Sequence, residues 1–501
     1  MSGAPIKNVI REVAVDDLLA RCRSLDGSDS RMQLAYAWFP HGDDRIELRY
    51  IVNLGRDTGF DIWCVRPQPG QAVPSLAPLI PLLSWYEREI TDLCGLPFSD
   101  QPQPQPLVLL AGAQAPRPPL HPGVKEPLRY TPQPTWMPEI AGRNGDNVQR
   151  LPFGPIRAGV VESVQFIYYY IGEGILHYYP QLFFKHRGME QRFENVTPEL
   201  GTVLAERVSG VGSVAHALAY CQALEAAASC TVPERARWLR TLLAELERLY
   251  NHLHYLGHLA DTTSLKVAAA EGALLSELAK QINARTTGSR FLRSLICPGG
   301  LRREPDVGGL SDRIEQLRIQ IAPYTRMLEA STSHLDRLIT TGPLDRQTAF
   351  DQGATGPIER ASGLDRDLRR DHPYAAYAEL PLEVPARDAG DGNARQQIRI
   401  AEIHNSLRML QRILLMLPEG PIRTECKPTP SSEGLGWSES PRGSLFYAVH
   451  VGADGHLARV KIKSPSFSNW CVFPFTVHDS NMMDYAINEA SFGLTVAGCD
   501  R

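Results

Sequence analysis

Between residues 97 and 153 this chain cannot run on as a helix or as a central strand. Gln101-Pro102-Gln103-Pro104-Gln105-Pro106 repeats one dipeptide three times, and prolines follow at 116, 118, 119, 122, 127, 132, 134 and 138. Each removes a backbone donor and fixes φ, which breaks helices and excludes interior strands. The stretch therefore reads as an extended linker, or as a strap lying over a neighbour, and it divides the 501 residues into two folded parts. The boundaries fall at 1–100, 101–150 and 151–501. The first part, up to about residue 125, is expected to fold as a module of its own.

Hydrophobic periodicity gives both parts a mixed character, so the expected class is α+β. In the first, a helix is predicted around Val15–Cys22 and strands near 33–39, 46–54 and 60–65. Turn signals at Gly42-Asp43-Asp44 and Gly55-Arg56-Asp57 support hairpin pairing. A short amphipathic helix then ends at Gly95. In the second part, a β-rich run at 164–171 returns through 182–185, and an apolar helix is predicted from about Val214 to Leu224. Thr231-Val232-Pro233-Glu234 has the spacing of a capping box. Leu239, Leu242, Leu243, Leu246, Leu249, Leu253 and Leu256 then recur at helical steps. Further helices are expected at 267–286, 310–340 and 398–417, making a helical bundle core, with a β-hairpin between 440 and 463 that turns at Ala453-Asp454-Gly455.

The net charge of −4 argues against a nucleic-acid partner, which calls for a clustered basic face. No run reaches the ~18 apolar residues of a spanning helix, and Met1-Ser2-Gly3-Ala4-Pro5 lacks a secretory pattern, so a cytoplasmic location is expected. The nine cysteines are scattered without any CxxC spacing, which predicts reduced, mostly buried thiols. His254 and His258 stand one helical turn apart but lack a third ligand, so a structural role is expected.

Three strings carry chemistry. Lys185-His186-Arg187-Gly188-Met189-Glu190 is followed by Glu206-Arg207-Val208-Ser209-Gly210-Val211-Gly212-Ser213-Val214-Ala215-His216, and Trp85-Tyr86-Glu87-Arg88-Glu89-Ile90 opens a string closing with Asp92-Leu93-Cys94-Gly95. The first two resemble the large subunit of membrane-bound group 4 nickel-iron hydrogenases and the quinone-facing large subunit of respiratory complex I. Pro298-Gly299-Gly300 and the passage 440–467 agree, so this resemblance spans about 153–501. The third string is similar to the small peripheral-arm subunit of complex I, and a fusion of the two subunits matches the layout.

The resemblance implies a subunit of a membrane-associated, NADH dehydrogenase-like or hydrogenase-4-like oxidoreductase complex. In the hydrogenases two cysteine pairs bind nickel. Here those positions fall at Ser209, Gly212, Thr495 and Gly498, and soft low-valent metals need thiolates, so no nickel and no directly bound cofactor is expected. The quinone-binding tyrosine position is Gly210 and the histidine position lies in 160–162. Quinone remains possible, with Glu162, His186, Arg187, Glu206, Arg207, His216 and Asp261 as a candidate proton- or quinone-cavity network. Glu162 is expected within reach of Arg207 or His186. The implied partners are a small iron-sulfur subunit, which would carry the cluster, and membrane-embedded subunits that would hold the chain at the cytoplasmic face of the inner membrane. The alternative is a degenerate scaffold that docks an iron-sulfur partner. An enclosed polar cavity between 157–162 and 209–216 would favour the first reading.

Overall fold

The computed structural model describes residues 8–25, 30–40, 42–56, 59–110, 112–114, 117–122, 124, 128–131, 147–157 and 162–501. Asp57, the prolines at 116, 127, 132, 134 and 138, and residues 158–161 of the expected cavity loop lie outside the described residues.

In the first part, Arg31–Trp38, Glu47–Asn53 and Phe60–Val65 pair antiparallel, as alternation predicts. Val9–Glu12 adds a parallel edge strand beside Phe60–Val65. All four of its residues, Val-Ile-Arg-Glu, are exposed, so they lack the alternation of a half-buried strand. Helix Leu83–Cys94 packs on strand Arg31–Trp38. It stops at Gly95, whose φ of 75° is left-handed, and a Cβ there would stand 2.6 Å from Pro118 Cγ. Glycine is thus required twice, for the turn and for the approach of the proline segment. Over its described residues 105–109, that segment is a strap. Arg88 donates to the carbonyls of Gln105 and Pro106 at 2.8 and 3.1 Å. One oxygen of Asp92 accepts from the amides of Leu107, Val108 and Leu109.

The second part begins with the sheet of Gln149–Phe153, Gln165–Ile171 and Gly174–Gln181, edged by Ser480–Asn481. Helices Ser213–Ala227, Glu234–Thr262, Lys266–Thr287, Leu310–Ala330 and Gly392–Met416 follow the predicted apolar stripes. The stripe from Leu239 to Leu256 is entirely buried. The capping box is not realised, because the helix starts at Glu234 behind Pro233 with no side-chain cap. Ser331 breaks the run expected over 310–340 into Leu310–Ala330 and Thr332–Leu338.

The expected hairpin is the outer part of a three-stranded sheet of Glu433–Ser440, Gly443–Val451 and Leu457–Lys463. Its first strand lies against helix Ser213–Ala227 so closely that a Cβ at Gly434 or Gly436 would come within 2.0 Å of the Ala223 or Ala219 carbonyl. Two glycines hide that strand from a propensity reading, and the same two glycines let it pack.

The two parts share one continuous apolar core and a set of buried ion pairs. Glu89, on helix Leu83–Cys94, accepts from Lys461 Nζ at 2.6 Å and from the Arg501 guanidinium at 2.5 Å. Glu190, from the Lys185–Glu190 corner, binds Arg459 at 2.7 Å, Arg501 at 3.1 Å and Lys461 at 3.2 Å. Burial alone would raise the Glu190 pKa, but Lys461, Arg459 and Arg501 outweigh it and hold the carboxyl well below its ordinary range. Farther out, Arg31 pairs with Glu359 at 2.6 Å and Arg49 with Glu433 at 3.1 Å. Independent folding of the first module would leave these groups without partners. Breaking a buried pair from one side typically costs ~3–5 kcal/mol. Glu89→Ala should therefore lower unfolding free energy by about that much in chemical denaturation, and a loss of under ~0.5 kcal/mol, the range of an ordinary surface change, would contradict the assigned role.

Candidate functional site

Two loops define the site. One runs from Glu206 to Gly212 between helices Pro198–Ala205 and Ser213–Ala227, and the other from Gly493 to Gly498 into the short helix Val496–Asp500. Arg187 joins them: its guanidinium donates to the carbonyls of Arg207 at 2.9 Å, Val208 at 2.6 Å and Ala497 at 2.9 Å, while its amide donates to Arg501 O. Arg187 Nε is buried without a partner in the structure. His186 lies beside it, with Nδ1 2.6 Å from the Asp500 carbonyl, and burial lowers its pKa.

The four positions implied as lost metal ligands converge. A Cβ built at Gly498 would lie 2.6 Å from Thr495 Oγ1, 3.4 Å from Ser466 Oγ and 3.6 Å from Ser209 Oγ. Thr495 and Ser466 are hydrogen-bonded through their hydroxyls at 3.1 Å. Gly212 is buried against the His216 ring, 3.3 Å from where its Cβ would be. The donor set is therefore hydroxyl and glycine, which does not fit the thiolate demand of a nickel-iron centre. Among the described residues, no group of three or more His, Cys, Asp or Glu is placed to hold a metal.

Glu162 and Glu247 play matching parts. Glu162 accepts from the amides of Val496 at 2.6 Å and Ala497 at 2.8 Å. Glu247 accepts from those of Val214 at 2.7 Å and Ala215 at 3.0 Å. Each carboxylate satisfies the otherwise orphaned amides of a helix that follows one of the two loops. Among the described residues Glu162 makes no ion pair with Arg207 or His186; each of its oxygens accepts from a backbone amide instead. Glu247 is fully buried, and burial raises its carboxyl to about 7. Asn251, one turn along the same helix, donates to Val211 O at 2.9 Å and accepts from Arg442, which donates in turn to Gly493 O at 2.8 Å. This gives the two loops a second bridge.

The other candidates divide. Glu206 is buried, accepts from Ser294 N at 2.7 Å through one oxygen, and leaves the other unbonded with Arg207 at 3.8 Å; burial raises its pKa. Arg207 itself is half exposed and bonds the preceding helix at Val203 O. His216 is buried with Nδ1 2.8 Å from the Tyr447 hydroxyl. Asp261 does not belong to the cluster. It is exposed, pairs with Lys266 at 2.6 Å, and stands ten residues beyond Asn251 on one helix, about 15 Å along the axis at 1.5 Å per residue.

Sequence reasoning missed Asp500, Ser466, Glu247 and Arg442. Asp500 accepts from Lys185 N through one oxygen at 2.9 Å while the other is buried unbonded, and burial pushes its carboxyl up to about 7. It also missed a buried ionic group behind the site. Glu402 binds His252 at 2.8 Å, Arg248 at 3.0 Å and Arg360, with Asp367, Arg369, Glu245 and Glu439 continuing the network. His254 and His258 are exposed on the other side of that helix.

Comparison with known proteins places this geometry. The description "Respiratory-chain NADH dehydrogenase, 30 Kd subunit" matches residues 6–131, "Nickel-dependent hydrogenase" matches 187–292, and "Respiratory-chain NADH dehydrogenase, 49 Kd subunit" matches 276–433 and 424–501. Formate hydrogenlyase subunit 5 of Escherichia coli (strain K12) is 31% identical over 427 residues, covering 82% of this chain and 74% of that protein. The chain belongs to this family of hydrogenase-type and complex I-type oxidoreductase subunits. Hydrogenase-4 component G of the same organism is 30% identical over 422 residues, 82% of this chain and 72% of that protein. The C/D subunit of NADH-quinone oxidoreductase from Rhodopseudomonas palustris (strain BisB18) is 27% identical over 475 residues, 84% and 80%. A chain of the membrane-bound sulfane sulfur reductase, an archaeal respiratory membrane complex, superposes with a TM-score of 0.66 at 25% identity, covering 71% of this chain and 99% of that one.

Within this family member, burial lowers the His216 pKa to about 3, with the nearby Arg187 charge adding to the effect. The folded state keeps the ring neutral while the unfolded chain, with a pKa near 6.5, takes up the proton. The resulting stability is full above about 6.5 and is lost as pH falls towards 3, with a slope of up to about 1.4 kcal/mol per pH unit. Unfolding free energies of wild type and His216→Asn measured across that window should differ by this slope, and parallel pH curves would contradict a buried neutral His216.

Proposed function

We propose that the chain is the large subunit of a membrane-associated redox complex in which the site between the two loops handles protons or a quinone instead of dihydrogen. The observation that carries the reading is a pair of buried carboxyls, Glu206 and Asp500, each with one oxygen lacking a hydrogen-bond partner beside the Arg187 clamp. Burial raises both, Asp500 to about 7, and a carboxyl poised near neutral pH can give or take a proton under working conditions. The replacement of thiolates by Ser209, Thr495 and two glycines argues against hydrogen chemistry in this subunit.

In this reading the iron-sulfur cluster belongs to a small partner subunit docked near Lys185–Glu190 and Glu206–Ser213. Membrane-embedded subunits hold the assembly at the cytoplasmic face of the inner membrane. No helix among the described residues is long and apolar enough to cross a membrane, in keeping with attachment through partners. A second reading, a scaffold that only clamps its partners, is favoured by Glu162, both of whose oxygens cap backbone amides.

The purified complex should hold no stoichiometric nickel by elemental analysis; one equivalent per chain resisting chelation would overturn the assignment. Asp500→Asn and Glu206→Gln should leave the complex assembled and slow proton-linked turnover by at least ~10-fold, equivalent to about 1.4 kcal/mol of barrier. Assembled complexes with unchanged turnover in both variants would establish the scaffold reading in its place.

A further inference from the structure

Seven of the nine cysteines are buried; only Cys230 and Cys471 have appreciable access to solvent. Cys230 does not stand alone. It lies just past helix Ser213–Ala227, and the Glu425 carbonyl its thiol meets belongs to the residue next to Cys426, 196 positions later in the chain, so the two thiols are neighbours that influence each other. Cys230 Sγ also lies 3.7 Å from Glu425 O, so the side chain faces the 424–426 segment squarely. Cys230 is held by its backbone, Cys230 N donating to Glu225 O at 2.8 Å, while the other segment is anchored two residues before Cys426, where Thr424 N donates to Gly299 O at 2.9 Å. Arg240, held by Glu225 at 2.6 Å, lies beneath the pair. Cys471, the other accessible thiol, is directed at Gln352 Oε1 at 3.9 Å.

We propose that Cys230 and Cys426 are a thiol-oxidation site, at which a low-molecular-weight disulfide such as oxidised glutathione closes a reversible bond between the end of helix Ser213–Ala227 and the connection 417–432. The more accessible Cys230 thiolate attacks one sulfur of the oxidant, forming a mixed disulfide and releasing one glutathione thiolate. The Cys426 thiolate then attacks Cys230 Sγ, forming the internal bond and expelling the second glutathione thiolate. The two cysteine protons end on the two glutathione thiols, so two protein thiols are oxidised and one disulfide is reduced.

Closure brings the two neighbouring sulfurs to the ~2.05 Å of a covalent bond. Beyond the bridge of Arg423 to Gly300, residues 425–432 contain neither helix nor strand, so they can supply that movement. Burial raises both thiols, Cys426 more strongly, so the pair should react slowly and only with oxidants that reach Cys230. The bond would fasten the far end of the helix whose first turn borders Ser209–Gly212, coupling oxidation to the support of the candidate site.

The full-length chain, incubated with oxidised glutathione or with reductant, quenched with N-ethylmaleimide and digested, tests this by mass spectrometry. The expected product is a cross-linked peptide pair containing Cys230 and Cys426, lighter by two hydrogens and released by dithiothreitol. It should be absent in Cys230→Ser and Cys426→Ser, with Cys426→Ser trapping Cys230 as its glutathione adduct. Recovery of both cysteines as maleimide adducts from oxidised, folded wild-type protein would overturn the proposal, as would preferential pairing of Cys230 with another cysteine. The wild-type cross-link decides the matter even if either variant fails to fold.

Discussion

The molecule depends on one charge cluster buried between its two parts. Glu89 and Glu190 each face Lys461 and Arg501, with Arg459 completing the set, and all five side chains are almost wholly shielded from water. Such an arrangement is tolerable only when every charge has an opposite charge in contact, as each of these three cations has with one or both carboxylates, since unpaired ions in a low-dielectric interior are very costly. Matching requires that helix Leu83–Cys94, the Lys185–Glu190 corner, strand Leu457–Lys463 and the residues at 499–501 meet in one geometry. The cluster therefore supplies specificity of docking more than net stability, and it fixes the corner from which Arg187 reaches both loops of the candidate site.

From that corner the rest of the site follows. Arg187 ties three carbonyls of the two loops, Arg442 and Asn251 tie two more, and Glu162 and Glu247 satisfy the helix amides behind each loop. What these supports enclose is a hydroxyl-lined meeting point, and near it are the Glu206 and Asp500 carboxyl oxygens that lack a hydrogen-bond partner. The same backbone arrangement can hold thiolates or hydroxyls; the chemistry is decided by the side chains at positions 209, 212, 495 and 498.

Much of this was legible in the sequence. The leucine stripe of Glu234–Thr262 announces a buried helix, Gly95 its predecessor's stop, and the proline run a strap. The family motifs contain His186, Arg187, Glu206 and His216, and the resemblance points to Glu162; all five lie around the two loops. Strand Glu433–Ser440 was hidden because the glycines that let it press on a helix also erase strand propensity. Asp500 and Glu247 were hidden because a lone acid in sequence reads as solvated, and only burial and backbone partners reveal its task. Asp261 fails for the converse reason: a motif-adjacent acid on a long helix is carried away from the site by the helical rise itself.

The claim that Arg187 holds the two loops together can be tested most directly by hydrogen–deuterium exchange of wild type and Arg187→Met. Loss of the clamp should raise exchange in 207–212 and 495–498 together while the amides of helix Glu234–Thr262 stay protected. Unchanged protection in both loops, or a rise spread evenly over the whole chain, would contradict the account.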